Sequence, residues 1–391
     1  MDNAYLQELI AEAQNRGGGL LLSVQDKPAA VVLTVEKYNQ MLNHENASGQ
    51  QSSSQPRQEA ALPLDDLGGQ KILVTGGAGY IGAHLVRQLL EAGHEVVVLD
   101  NLSAGKRENI PAGAAFVEGD LADVNLLRDL FAANHFDVVM HLAASLEVEE
   151  SVRLPEKYFE NNVINTAKLL SVMTEAGVKK LIFSSTAAVY GEPEQVPLTE
   201  KSRVKPNNPY GFSKLLAEKV IKYYCNFSGL NATVFRYFNA CGCDYDGQIR
   251  PTHSSHLIPI VLEVAKGARP FLLVHGGDYD TADGTCIRDY VHVLDIAAAH
   301  VKALQQMDSR CGFTVYNIGT GRGSSVKDII NCASEILNRI IPMEIGPRRA
   351  GDAAVTVADN AKLKNELGFE LKHSDINTII TTSWKQITLD A

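Results

Sequence analysis

The sequence predicts an α/β protein: a doubly wound parallel sheet with a smaller α/β lobe appended to it. Three observations carry this reading. Strand-length apolar runs alternate with segments of helical period from Lys71 to Phe238, a glycine-rich turn joins the first run to the first helix, and an acidic residue, Asp100, ends the second run. Strands separated by helical crossovers imply a parallel sheet covered on both faces.

Lys71 to Thr75 is a short apolar strand, after which Ile81, Leu85, Val86, Leu89 and Leu90 recur at helical spacing. Strands follow at Val96 to Asp100 and Ala115 to Glu118. A helix is predicted over Val124 to Ala133, with Val124, Leu127, Leu130 and Phe131 as its apolar positions, and then a strand at Val138 to Leu142. The alternation continues with a helix at Pro155 to Ala176, a strand at Leu181 to Ser185, a helix at Pro209 to Phe227 and a strand at Thr233 to Phe238. Beyond Cys243 the order loosens into loops, helices at Leu257 to Ala265 and Val293 to Gln306, and short strands. Residues 70–245 therefore read as a dinucleotide domain and 246–391 as a substrate-binding lobe, with some segments returning to the first domain. Ahead of both, residues 46–69 are rich in Ser, Gln and Asn and then Pro and Gly, as in a flexible linker. Residues 1–45 hold a helical start at Tyr5 to Gln14, a strand at Ala29 to Thr34 and an amphipathic stretch at Val35 to Leu42, too little to bury a core unaided. Pro28 to Leu42 faintly resembles part of the small antitoxins that repress their own operons, but has no basic face.

At 391 residues, 45% hydrophobic and 21% charged, the composition excludes a wholly disordered chain. Lys plus Arg number 36 against 46 Asp plus Glu, a net charge of −10 that argues against nucleic acid or an anionic membrane as partner. Every apolar stretch is shorter than the ~20 residues that a spanning helix requires. Met1 to Ile10 carries Asp2 and Glu8, unlike a secretory signal, so a cytoplasmic location is expected. Six cysteines are too sparse for a disulfide scaffold. Cys241 and Cys243 lie near His253 and His256, but no paired C-x-x-C spacing accompanies them, so reduced thiols and no metal are expected.

Gly76-Gly77-Ala78-Gly79-Tyr80-Ile81-Gly82 lies between the first strand and the first helix. Its glycines let the backbone approach a pyrophosphate, while the helix N-terminus offers N–H groups and partial positive charge to that anion. Asp100, about 20 residues further on, would accept hydrogen bonds from an adenosine ribose and repel a 2′-phosphate, which favours NAD over NADP. Tyr210 and Lys214 sit four apart on one face of a helix. A phenol of pKa ~10 is a poor base at neutral pH, but an ammonium beside it would lower that value. Ser184, Ser185 and Thr186 close a strand, where a parallel sheet delivers side chains to the ligand crevice. A hydroxyl there could relay a proton.

These residues carry a resemblance. The glycine turn, Asp100-Asn101-Leu102, Gly119-Asp120-Leu121, His141-Leu142-Ala143-Ala144, Ser184-Ser185-Thr186, Tyr190-Gly191, Tyr210-x-x-x-Lys214 and Arg236-Tyr237-Phe238-Asn239 resemble the extended short-chain dehydrogenases/reductases. Gly277 to Thr281, Asp283-Gly284-Thr285, Arg288 to Val293 and Arg348-Arg349-x-Gly351-Asp352 narrow it to their UDP-glucose 4-epimerase branch. The match spans about residues 70 to 391. It implies a Rossmann domain with NAD held by Gly76, Gly79, Tyr80, Ile81, Gly82, Asp100 and Asn101, with the adenine beside Asp120 and Leu121. Leu142, Ala143, Ala144, Asn161, Ser184, Tyr210, Lys214 and Tyr237 would line the rest of the cofactor. Thr186, Phe238, Asn239, Leu257, Arg288, Arg349, Asp352 and Thr356 would meet a UDP-sugar, the two arginines at its diphosphate.

The resemblance further implies catalysis by Tyr210, Lys214 and Thr186 through a 4-keto sugar, and a homodimer formed through the helices at Pro155 to Ala176 and Pro209 to Phe227. Four positions depart from common family residues: Thr186 stands where many members have Ser and retains the hydroxyl, Leu146 replaces a lysine near the cofactor, His275 an aromatic ring against uracil, and Thr356 a bulky tyrosine beside the sugar. The small Thr356 leaves room for an N-acetyl group at C2. Ala187 and Ala188 follow Thr186 where a 4,6-dehydratase needs an acidic pair. A UDP-pentose 4-epimerase and a catalytically silent NAD-binding regulator stand as alternatives.

Overall fold

A computed structural model of the chain describes residues 19–24, 27–33, 69–249, 256–349 and 351–389. The expected helix at Tyr5 to Gln14, the amphipathic stretch at Val35 to Leu42, the linker over 46–68 and His253 lie outside them. Gly19–Val24 (β1) and Lys27–Leu33 (β2) pair as an antiparallel hairpin. The second strand covers most of the expected one; the first is too short an apolar run to show a period.

From Lys71 the expected alternation unfolds as β3 (Lys71–Thr75), α1 (Tyr80–Glu91), β4 (Glu95–Asp100), β5 (Ala115–Glu118), α2 (Val124–Ala133) and β6 (Val138–His141). After α3 (Val148–Arg153), α4 (Pro155–Phe159) and α5 (Asn165–Glu175) come β7 (Lys180–Thr186), α6 (Pro209–Ser228), β8 (Asn231–Tyr237) and β9 (Asn239–Cys241). The helix expected over Pro155 to Ala176 is thus not continuous. A π turn, Glu160–Ile164, separates α4 from α5. One extra residue per turn barely alters an averaged apolar period, so the sequence reads as one helix.

The second lobe adds α7 (Leu257–Lys266), β10 (Leu272–His275), β11 (Ile287–His292), α8 (Val293–Gln306), β12 (Phe313–Ile318), β13 (Gly323–Ser325), α9 (Val326–Leu337), β14 (Met343–Gly346), β15 (Val355–Thr356), α10 (Ala361–Leu367) and α11 (Ile376–Leu389). Seven strands form one parallel sheet in the order β12-β8-β7-β6-β3-β4-β5. Its strands are apolar on both faces because both are covered. Ile72 and Val74 meet Leu85, Val86 and Leu89 of α1 and Ile296 of α8 on one side, and α8 packs against α1. Leu73 meets Leu127 and Phe131 of α2, Leu169 of α5 and Ile221 of α6 on the other.

A separate core of Ile258, Val261, Leu262, Ile329, Ile379 and Ile380 holds α7, α9 and α11 together. β11 pairs with β9, with β13 and with β15. Since β9 continues directly from β8, this places the second lobe's sheet at the carboxyl end of the first. No described helix is long and apolar enough to cross a membrane.

Candidate active site

From β3 the chain moves to β4 and β5 on one side and then to β6, β7 and β8 on the other, so the strand order reverses at β3. A crevice at the carboxyl ends of such strands is where ligands bind in this class of sheet. Gly76 follows β3 with φ +75°, and a side chain there would put Cβ 2.6 Å from the backbone nitrogen of Ala143, which follows β6. At Gly82 a Cβ would overlap the Gly76 carbonyl oxygen. No side chain caps α1 at Gly79, and its first turn holds no acidic residue. This bare backbone cradle at a helix N-terminus fits the pyrophosphate of a dinucleotide.

Asp100 closes β4 and braces the same turn. Its carboxylate accepts the Ala78 N–H at 3.0 Å and the Leu102 N–H at 2.9 Å. Burial pushes its pKa up against the pull of those two bonds. Each oxygen retains a lone pair for a ribose hydroxyl. Beside it Asn101 donates to Asp120 at 2.6 Å, Asp120 accepts the Ala122 N–H at 2.8 Å, and Leu121 is buried. The adenosine end expected from the sequence is therefore one connected surface.

The loop after β6, with Leu142, Ala143 and Ala144, is pinned by the π turn. Asn162 accepts the Ser145 N–H at 2.8 Å and donates to the Ser145 carbonyl at 2.9 Å and the Ser213 hydroxyl at 3.0 Å, while Asn161 reaches the Ser145 hydroxyl at 3.2 Å. The π turn presents two successive asparagines to one loop. Of the two, the family resemblance in the sequence pointed to Asn161 alone. Leu146, in the position of the missing lysine, is partly exposed.

Asn208 caps α6 by accepting the Gly211 N–H at 2.8 Å, with Pro209 in the first turn, and this sets Tyr210 at the mouth of the helix. The Tyr210 ring meets that of Tyr158 edge-on, with centroids 6.3 Å apart. Burial pushes its phenol up to about 12, the hydrogen-bonded Thr186 hydroxyl working in the opposite direction. Lys214, one turn on, is buried and donates to the Ser184 carbonyl at 2.8 Å, its ammonium 4.7 Å from the centre of the Phe183 ring. Burial pulls its pKa down to about 7, opposed by the charge of Glu218. The structure thus brings Tyr210, Lys214, Ser184 and Thr186 together at the end of β7. Tyr237, the register partner of Thr186 on β8, donates its hydroxyl to His300 Nε2 at 2.6 Å, because His300 Nδ1 is committed to the Ile296 carbonyl.

Across the crevice, Phe238 is buried and Asn239 donates to the Asp289 carbonyl at 2.9 Å. Arg288 donates to the Ala353 carbonyl at 2.8 Å and lies 3.4 Å from Asp352, and its register partner on β15 is Thr356. Arg349 lies 3.8 Å from Glu149 of α3. Leu257 opens α7, and His275 ends β10.

Sequence reasoning quoted Tyr279 within a motif but gave it no role. Its hydroxyl is buried with no hydrogen-bond partner among the described residues, the Arg348 guanidinium lies over its ring at 4.3 Å, and Asp352, Arg288 and Arg348 are its charged neighbours. A second cluster, His84, Cys243 and Asp244, has metal-ligand composition. Its atoms are already engaged: His84 Nε2 accepts the Asp244 N–H at 3.2 Å, the Cys243 thiol donates to Asp244 at 3.0 Å, and Arg87 donates to Asp244 at 2.8 Å.

With this geometry in place, comparison with known proteins identifies the class. Residues 72–319 match the NAD dependent epimerase/dehydratase family, and the chain belongs to it. UDP-glucose 4-epimerases are among its relatives within that family. The chain is 46% identical over 315 residues to that of Halalkalibacterium halodurans, covering 80% of this chain and 94% of the relative. It is similar to the crystal structure of UDP-glucose 4-epimerase from Brucella ovis in complex with NAD, at a TM-score of 0.78 and 41% identity over 81% of this chain and 98% of that one. It is likewise similar to the UDP-Glc/GlcNAc 4-epimerase of Campylobacter jejuni, at a TM-score of 0.73 and 41% identity over 82% and 100%.

Proposed function

We infer that the chain is an NAD-dependent isomerase that interconverts UDP-glucose and UDP-galactose through a 4-keto sugar. The observation that carries the reading is the meeting of the half-buried Tyr210 with the Thr186 hydroxyl, one helical turn from the buried Lys214 ammonium. Tyr210, as phenolate, takes the proton of the sugar 4-hydroxyl, directly or through Thr186. Lys214 stabilises the phenolate by its charge. A bound NAD would supply a reversible hydride acceptor for C4 of the sugar. Arg288 and Arg349 hold the diphosphate with forked donors while the keto sugar turns about that link and presents its other face.

Thr356, beside Arg288, supports acceptance of UDP-N-acetyl sugars as well, as does the likeness to the Campylobacter jejuni UDP-Glc/GlcNAc enzyme. Exposed apolar residues on one side of the domain, Ile164 in the π turn and Phe212, Tyr223 and Phe227 on α6, support a homodimer through these elements. Six unpaired cysteines suit the reducing cytoplasm.

The test is to incubate purified protein with UDP-galactose, without added NAD, and follow UDP-glucose formation. Turnover is expected, and Tyr210→Phe should lose about 10²–10⁴-fold of it. No turnover even with NAD added would overturn the reading and direct attention to UDP-pentoses, or to a silent NAD-binding regulator.

A further inference from the structure

Tyr210, Lys214 and Glu218 recur every four residues along one face of α6, and Glu218 is as deeply buried as Lys214. Its carboxylate accepts Arg236 Nε at 3.0 Å, Arg236 Nη2 at 2.6 Å and the Ser185 hydroxyl at 2.5 Å. Arg236 is also buried, and on β8 it is the register partner of Ser185. Its remaining nitrogen, Nη1, donates to the Tyr190 hydroxyl at 3.0 Å, which donates in turn to Asn317 at 2.7 Å. Every polar group in this chain of contacts is partnered. A helix could be glued to a sheet with apolar residues alone, and an ion pair buried in a core is weak evidence for stability.

The placement of the charges suggests another role. Ser184 takes the Lys214 ammonium on its carbonyl, and the next residue, Ser185, binds Glu218. Glu218 and Arg236 cancel one another, which leaves the ammonium of Lys214 as the net charge of the group. The other groups around Lys214 are His141 of β6, kept neutral by burial with its pKa pulled down to about 3, the Phe183 ring of β7 and Tyr210 itself, on which Glu147 also acts.

We propose that Glu218 and Arg236 are a positioning pair for epimerisation, which fixes the charge state of Lys214 and through it the phenolate of Tyr210. The proposal rests on the epimerase reading, and the wild-type assay tests that reading separately. Without Glu218, the Arg236 charge stands uncompensated beneath Lys214 and disfavours its ammonium. Without Arg236, the bare carboxylate favours it. The two substitutions therefore act in opposite directions, which mere loss of packing would not produce.

The experiment compares wild type, Glu218→Gln, Arg236→Met and Arg236→Lys by the alkaline limb of kcat/KM for UDP-galactose. It also follows Lys214 directly, by NMR titration of ¹³Cε-labelled lysine assigned with Lys214→Met. Glu218→Gln is expected to move both readouts to lower pH by roughly one unit, Arg236→Met to move them to higher pH, and Arg236→Lys to leave them near wild type. Where Glu218→Gln does not fold, the upward shift of Arg236→Met against Arg236→Lys decides the matter. Folded variants of lowered melting temperature whose Lys214 titration stays in place, or shifts in one common direction, would overturn the proposal.

Discussion

Lys214 hands a hydrogen bond to the Ser184 carbonyl at 2.8 Å from a position closed to water. Burial holds its pKa near 7, below the usual lysine range, so at pH 7 folding expels about half a proton from this side chain and the rest of the molecules keep the ammonium. The resulting cost to stability is largest below about pH 7 and fades as pH rises through that value toward the unfolded pKa of about 10.4.

Lys214→Met should accordingly abolish turnover yet raise the melting temperature of the protein, more at pH 6 than at pH 9. Thermal unfolding at the two pH values reads this. A melting temperature lowered equally at both would mean that the ammonium carries no such cost.

Thr356 lies across from Arg288 in the register of β15 and β11. Thr356→Tyr should cut turnover of UDP-N-acetylglucosamine by about 10–200-fold while changing that of UDP-galactose only a few-fold, a steric discrimination of ordinary size. The ratio of the two kcat/KM values measures it, and equal losses would remove Thr356 from the specificity argument.

Burial lowers the pKa of all five buried histidines of the described residues, His94 included, and four are shifted far enough to be held neutral. Burial pulls His84 and His300 down to about 4 and His141 and His292 down to about 3. The unfolded chain binds these protons near pH 6.5, so stability is lost as pH falls below that value and levels off only near the folded values. With all four neutral in the fold and charged in the unfolded chain, the loss approaches about 5 kcal/mol per pH unit. Denaturant melts between pH 7 and pH 5 should show a loss that steepens toward this slope at the acid end, and His300→Gln should remove about one proton from it.

Much of the site is local in the chain and therefore legible in its sequence. The turn from Gly76 to Gly82 joins consecutive elements, Asp100 ends the next strand, and Tyr210 and Lys214 share one helix. Six of the seven strands of the sheet were legible for a similar reason, since β3, β4, β6, β7 and β8 are apolar runs buried on both faces and β5 is a shorter run at the edge. β12 was not singled out from the looser second lobe. Glu218 and Arg236 are different. On separate elements each resembles a surface charge, and only the packing of α6 against β8 brings them together. The His300 contact with Tyr237 likewise joins distant segments. The π turn escaped because it changes hydrogen bonding without changing which residues are apolar.

β12 bears on how the protein is made. It comes from the second half of the chain, yet it pairs with β8 from Ala232 to Tyr237 and closes that margin of the seven-stranded sheet. On the ribosome, a nascent chain that has reached Tyr237 holds six strands of this sheet and an uncovered hydrogen-bonding border, the kind of border that recruits other chains. That border stays open until Ile318 has emerged. Chaperone protection, or slow release of the polypeptide, matters most in this interval, and products that terminate within it lack the strand that would cover β8.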